Sequence, residues 1–126
     1  DLIVAARAAR MHARADYSGF KVGAALETAD GRIFTGCNIE SATYGQTICA
    51  ERVALFKALS EGERAFSRLV VVTGAHEPTP PCGACRQLLW EYAGNVDVIL
   101  SNESSETARY RLADLFPLPF DRRNLD

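Results

Sequence analysis

Cys49-Ala50-Glu51-Arg52 opens a run in which Val53, Leu55, Phe56 and Leu59 repeat near helical spacing, and Gly62 stops it. Leu69-Val70-Val71-Val72 follows as a short, fully apolar run. Pro81-Cys82-Gly83-Ala84-Cys85 then begins a second periodic run through Leu88, Leu89 and Trp90 to Tyr92, ended near Gly94. The spacing predicts a helix over 49–61, a buried strand over 69–72 and a helix from 82 or 83 to 92. Both helices open on cysteine, and the three cysteines with one neighbouring glutamate make the inventory of a catalytic zinc site. A structural zinc site is closed by four protein ligands, whereas a catalytic one keeps a position open for water. Cys49, Cys82 and Cys85 supply three thiolates. Glu51, two residues after the first ligand, can handle the proton of a water there without binding the metal.

Outward from this unit the chain predicts further elements. Leu2 to Ala15 reads as a helix with Ile3, Ala6, Met11 and Ala13 as inward positions, broken by Asp16-Tyr17-Ser18-Gly19. Val22 to Thr28 and Arg32 to Ile39 read as strands joined by a tight turn at Asp30-Gly31. Residues 40–47 read as a loop, and residues 76–81 as a Pro-rich loop. Val96 to Leu100 is a strand, and Thr107 to Leu112 a weaker one before a helical turn at Leu115. Helices fall between strands, which implies an α/β fold: a mixed five-stranded sheet covered on both faces, a three-layer α-β-α sandwich.

The 126 residues make one domain, 1–126, with 48% apolar residues, enough for a single core. A net charge of −2 argues against a nucleic-acid surface. No apolar run approaches the roughly 18 residues of a membrane span. Leu2-Ile3-Val4-Ala5-Ala6 lacks a basic flank and is too short for a signal-peptide core. Cytoplasmic residence is therefore expected, and the four cysteines favour metal ligation over disulfides in a reducing compartment.

Each candidate residue also has a plainer reading. Thiolates at helix N-termini are stabilised by unpaired N–H groups and about half a positive charge. Three of them on Zn²⁺ leave a formal charge of −1, which the two helix ends partly offset. Arg52 and Arg86, close behind the ligands, are candidates to hydrogen-bond the sulfurs and tune the metal; otherwise they lie on solvated helix faces. Cys37 sits on a strand and reads as a small core residue. His76 stands alone in its loop, and His12 has no ligand partner at useful spacing. A glutamate in a first helical turn is ordinary; what lifts Glu51 is its combination with Pro-Cys-x-x-Cys.

That combination, a ligand, one residue, Glu, then Pro-Cys-x-x-Cys, is a general signature of zinc deaminases. Longer stretches narrow it. Tyr17-Ser18-Gly19-Phe20-Lys21-Val22-Gly23-Ala24-Ala25-Leu26 resembles the entry to the first strand of the cytidine deaminases. Gly36-Cys37-Asn38-Ile39-Glu40-Ser41-Ala42-Thr43-Tyr44-Gly45 resembles their nucleoside-binding segment. Thr47 to Arg52 and Pro81 to Gln87 resemble their zinc motifs, and Leu115-Phe116-Pro117-Leu118-Pro119-Phe120 their C-terminal tail. The likeness covers nearly the whole chain. Its length and all-cysteine ligand set resemble the small homotetrameric branch. Ser41 and Gln46 depart from a pattern that often has Asn and Leu.

The resemblance implies a hydrolase: one Zn²⁺ per chain on Cys49, Cys82 and Cys85, Glu51 as proton shuttle, and deamination of cytidine and 2′-deoxycytidine in pyrimidine salvage. It implies that Asn38 and Glu40 hydrogen-bond a ribose hydroxyl, that Phe20 packs on the nucleoside and that Ala50 lines its site. Phe120 would stack on the base in a neighbouring subunit's site, with Tyr44 at the subunit boundary. An amide with a carboxylate suits a hydroxyl that both donates and accepts, and two aromatic faces suit an uncharged pyrimidine. Two alternatives stay open: a deaminase of a modified nucleoside such as blasticidin S, and a zinc-stabilised binding module closed by Cys37 or His76.

Overall fold

Leu69-Val70-Val71-Val72 lies in the middle strand of the sheet, where both faces of a strand are covered and an unbroken apolar run is required. The computed structural model describes residues 1–125. Its elements are α1 (Leu2–Arg10), β1 (Val22–Thr28), β2 (Ile33–Cys37), α2 (Ala50–Ser60), β3 (Phe66–Thr73), α3 (Gly83–Ala93), β4 (Asp97–Ser101), β5 (Thr107–Arg111) and α4 (Leu112–Leu115). The sheet order is β2-β1-β3-β4-β5. Only the β3–β4 pair is parallel, with Val70 beside Ile99; the other pairs are antiparallel. A parallel pair needs a crossover, and α3 supplies it.

Strand alternation divides the core in two. Ala24, Leu26, Leu69, Val71, Val98 and Leu100 pack with Ala54, Leu55, Cys85 and Leu89 of α2 and α3. Ala25, Val70, Val72 and Ile99 pack with Leu2 and Ala6 of α1. The expected three-layer arrangement around a mixed five-stranded sheet is thus what forms. Two glycines let the helices approach closely. A Cβ on Gly23 would lie 2.0 Å from the Ala6 carbonyl oxygen, and one on Gly36 2.4 Å from that of Ala50. At Gly31 the reason is different: φ is +91°, which the turn between β1 and β2 requires.

Several expected boundaries move. The first helix ends at Arg10, not Ala15. Met11, His12 and Ala13 donate to the carbonyls of Ala8, Ala9 and Arg10, three residues back, so the last turn tightens. The chain then pairs with the segment after β2: Arg14 N–H donates to Asn38 O, and Glu40 N–H to Arg14 O. Ala13 is buried as expected, but Met11 is 77% exposed because the helix face it was assigned to no longer exists there. The second strand stops at Cys37, and Ile39 instead bridges Arg14 and Ile48. The middle strand is longer than its apolar run, reaching back to Phe66. On α2 the buried stripe is Ala50, Glu51, Ala54, Leu55 and Ala58, while Phe56 is largely exposed. The close approach at Gly36 brings the α2 backbone at Ala50 and Ala54 against β2, and of the large residues Val53, Leu55, Phe56 and Leu59 only Leu55 is fully buried.

Candidate active site

The two cysteine motifs meet because both open helices on the same side of the sheet. Cys49 is the N-cap residue of α2 and Cys82 that of α3, each in extended conformation with no side-chain cap hydrogen bond. Cys85 lies in the first turn of α3 and is fully buried. The sulfurs of Cys49 and Cys82 are 3.6 Å apart, and those of Cys82 and Cys85 are 3.3 Å apart. All three Sγ atoms lie within 4.8 Å of one another. Among the described residues this is the cluster of metal-donor side chains. Cys37 sits half-buried on β2 outside it, and His76 lies outside it in the loop, where its carbonyl accepts from Asn102 Nδ2.

The donor set fits a zinc ion. Three soft sulfurs converge, and no fourth side-chain donor joins them among the described residues, so a tetrahedral ion keeps one place for solvent. The electrostatics agree. Hydrogen bonding from Cys85, aided by Arg52, pulls the Cys49 thiol down to about 5. Its neighbour Cys85 is pushed far up, chiefly by that same bond to the Cys49 thiolate and then by burial. Without a cation the pair therefore carries a negative charge readily on Cys49, while Cys85 holds its proton. A divalent ion displaces such protons on binding. Arg52 Nη2 donates to Cys49 Sγ at 3.5 Å and to Thr47 O at 3.4 Å, the contact expected of it. Arg86 behaves differently. Its guanidinium donates to Pro81 O at 2.7 Å and to Leu115 O at 2.6 Å, so it ties the residue before Cys82 to the end of α4 and, among the described residues, makes no hydrogen bond to a sulfur.

Glu51, in the first turn of α2, is buried against the metal donors. Burial pushes its carboxyl up to about 7, and the Cys49 thiolate adds in the same direction. A carboxyl with two accessible protonation states near neutrality is what a proton shuttle needs. It lines a cavity of about 330 Å³ together with Cys49, Cys82, Ala50, Phe20, Asn38 and Glu40. Seven candidate residues from four stretches of sequence, Phe20, Asn38 with Glu40, Cys49 to Glu51, and Cys82, thus line one space.

Asn38 and Glu40 follow β2 and hold the 17–22 segment. Asn38 Oδ1 accepts from Val22 N–H at 2.9 Å, and its Nδ2 donates to Phe20 O at 2.8 Å. Glu40 Oε1 accepts from the N–H groups of Tyr17 and Ser18 at 3.0 and 2.9 Å; Oε2 accepts from Ser18 Oγ at 2.5 Å. These bonds, Ser18 Oγ first, hold the Glu40 carboxyl below its ordinary value. Phe20 stands 41% exposed at the cavity wall.

The remaining two aromatic candidates lie outside that cavity. Tyr44 is exposed in a short 3-10 turn, its ring edge-on to Tyr17 with centroids 6.4 Å apart. Phe120 is exposed in the tail, which is held on α3 by Gln87 Nε2 donating to Phe120 O at 2.8 Å and Trp90 Nε1 donating to Asp121 Oδ2 at 2.9 Å. Sequence reasoning missed other lining residues: Ser18, Thr47, Thr73, Thr79 and Pro80. Small hydroxyl residues in loops or at a strand end, as Thr73 is in β3, give no periodic signal, and of these Ser18 and Thr47 fell within stretches that resemble the family.

The family model for the cytidine and deoxycytidylate deaminase zinc-binding region matches residues 1–101. A cytidine deaminase from Sporosarcina psychrophila is 45% identical over 98% of this chain and 92% of its own. The crystal structure of cytidine deaminase from Burkholderia pseudomallei superposes with a TM-score of 0.92 at 49% identity, covering 94% of this chain and 96% of that one. A blasticidin-S deaminase from Bacillus cereus is more distant, at 30% identity over 80% of this chain and 77% of its own.

Proposed function

The chain belongs to the cytidine and deoxycytidylate deaminase family, and from that premise we propose that it hydrolyses cytidine and 2′-deoxycytidine to the uridine products, releasing ammonia. The observation that carries the reading is one cavity lined by a zinc-type sulfur cluster, the buried Glu51 and the Asn38–Glu40 pair. Cys49, Cys82 and Cys85 would hold the zinc. When bound, it supplies the Lewis acidity that brings the pKa of a water toward about 7.

The chain's own residues do the rest. Glu51 takes a proton from the attacking water and gives it to ring N3, which makes C4 electrophilic. The water oxygen adds to C4. Glu51 then moves the second proton to the exocyclic nitrogen, which leaves as ammonia, so one water is consumed and the carboxylate is regenerated. Burial supports this role, because it favours the protonated carboxyl that must deliver to N3. Asn38 and Glu40 bind a sugar hydroxyl between them, Ala50 lines the base pocket and Phe20 covers the nucleoside. Arg52 stabilises the Cys49 thiolate, and Arg86 positions Cys82 through Pro81.

We further propose that residues 1–126 form one catalytic domain that works as a homotetramer with shared sites in cytoplasmic pyrimidine salvage. Phe120 and Tyr44 are exposed and do not line the cavity, and Leu118 near Phe120 is 99% exposed, which suits stacking into a neighbour's site. None of the helices is long and apolar enough to cross a membrane, among the described residues. The deciding experiment is loss of the cytidine absorbance band on adding zinc-loaded protein, run beside deoxycytidine and blasticidin S. Turnover of blasticidin S alone would move the assignment to that substrate, and turnover of none would remove it.

A further inference from the structure

The Glu40 carboxylate has about four acceptor positions, and its bonds in this chain account for all of them. Oε1 takes two backbone N–H groups, from Tyr17 and Ser18. Oε2 takes the Ser18 hydroxyl at 2.5 Å and the Asn38 amide at 3.4 Å. The last of these is long and slack. A sugar hydroxyl inserted there accepts from Asn38 Nδ2 and donates to Glu40 Oε2, replacing one weak bond by two good ones. The other three bonds must then hold the carboxylate still. Of those three only Ser18 Oγ is a side chain, and it is also fixed from behind, because it accepts from Phe20 N–H at 3.0 Å. Ser18 itself lines the cavity.

We propose that Ser18 is a positioning residue for sugar recognition: its hydroxyl fixes the rotamer of Glu40 so that Oε2 meets the substrate's 3′-hydroxyl. The inference rests on the deaminase reading above and extends it to a residue whose hydroxyl bonds to Glu40 and Phe20. A carboxylate held by three donors loses little freedom when substrate arrives. Released from Ser18, Oε2 swings about its remaining anchors and the hydroxyl pays for ordering it. The effect is confined to substrates that carry the hydroxyl.

That confinement supplies the test. kcat/KM is measured for 2′-deoxycytidine and for 2′,3′-dideoxycytidine, which lacks the 3′-hydroxyl, with wild-type, Ser18→Ala and Ser18→Thr enzymes at equal zinc content. Ser18→Ala should shrink the preference for deoxycytidine over the dideoxy compound by about tenfold, the low end for a hydrogen bond to a charged group. Ser18→Thr, which keeps the hydroxyl, should restore the preference to within about threefold on the same scale. In a Glu40→Gln background the alanine change should no longer alter the ratio, since the residue it acts through is gone. An unchanged ratio in Ser18→Ala overturns the inference. So does an equal loss on both substrates, which would mean that Phe20 or the loop as a whole has moved. A wild-type protein that turns over neither nucleoside overturns the deaminase reading, and this inference falls with it.

Discussion

Gly36→Ala is a one-methyl change at a residue that does not line the cavity, and the structure predicts a large effect. The added Cβ lies 2.4 Å from Ala50 O, 2.6 Å from Ala54 N and 3.0 Å from Val53 Cβ. The first two are backbone atoms of the opening turns of α2, so no side chain can rotate out of the way. Ordinary contact requires α2 to move off β2 by about 1 Å, and overpacking of this kind costs typically 1–3 kcal/mol. The rigid neighbours place this site at the top of that range, about 3 kcal/mol, which for a domain of this size lowers Tm by about 10 °C. The same shift carries Cys49 and Glu51 with the helix, away from Cys82 and Cys85 on α3. A 1 Å misplacement of catalytic groups costs about 10²-fold in rate. Thermal unfolding, zinc content and steady-state deamination of cytidine should therefore all change together. A variant with Tm within about 2 °C of wild type and near-normal kcat/KM would refute the claim that the α2–β2 contact sets the position of the active groups.

Glu51→Gln should keep zinc near one ion per chain while kcat falls by about 10²–10⁴, the usual range for losing a general acid–base; near-normal turnover would remove Glu51 from the mechanism. Cys49→Ala, Cys82→Ala and Cys85→Ala should each lose zinc and activity together, and a chelator should lower the Tm of the wild-type protein, since metal binding to the folded site adds to stability. Cys37→Ala should retain metal and activity; zinc loss in that variant would point to a fourth sulfur. Phe120→Ala should raise KM by roughly 5- to 150-fold, the range for removing one stacking face, with fold and zinc intact. Mixing Glu51→Gln with Phe120→Asp chains should recover activity by subunit exchange. No recovery where exchange is demonstrated, with a monomer by light scattering, removes the shared site.

The fold was legible where side chains are large and the burial two-sided. Leu69 to Val72 could only be an inner strand, and the cysteine-opened runs could only start helices. Legibility failed where backbones come close. On α2 the large residues Val53, Leu55, Phe56 and Leu59 suggested the inward face; Leu55 is fully buried, but where Gly36 brings β2 near it is alanines that face in, and Phe56 turns outward. Met11 was misplaced because its helix gives way to pairing between Arg14 and the segment after β2, a long-range contact with no local signal. In the site, Cys49, Glu51, Cys82 and Cys85 were legible from spacing, because a metal constrains spacing. Asn38, Glu40 and Phe20 came from likeness to a family. Thr73 and Thr79 had neither kind of signal. Arg86 was legible as important near Cys82 but not in its partner, since its carbonyl ligand at Leu115 is distant in the chain.

The groups proposed to break the bond ride on the openings of α2 and α3, two helices clamped to the sheet. Those that would choose the molecule sit in irregular chain, at 17–20 and 38–44. This separation bears on how such a protein can change over generations. On that proposal a substitution in the irregular segments would alter which sugar or ring is admitted and would leave the proton path where it was. Each intermediate on the way to a new substrate can then still be an enzyme, so no step need cross a dead form. Substitutions at Cys49, Ala50, Glu51 or Cys85 have less latitude, because there metal donors, proton carrier and helix packing share adjoining positions. Relatives of this chain named for cytidine and for blasticidin S are the kind of diversity that arrangement permits.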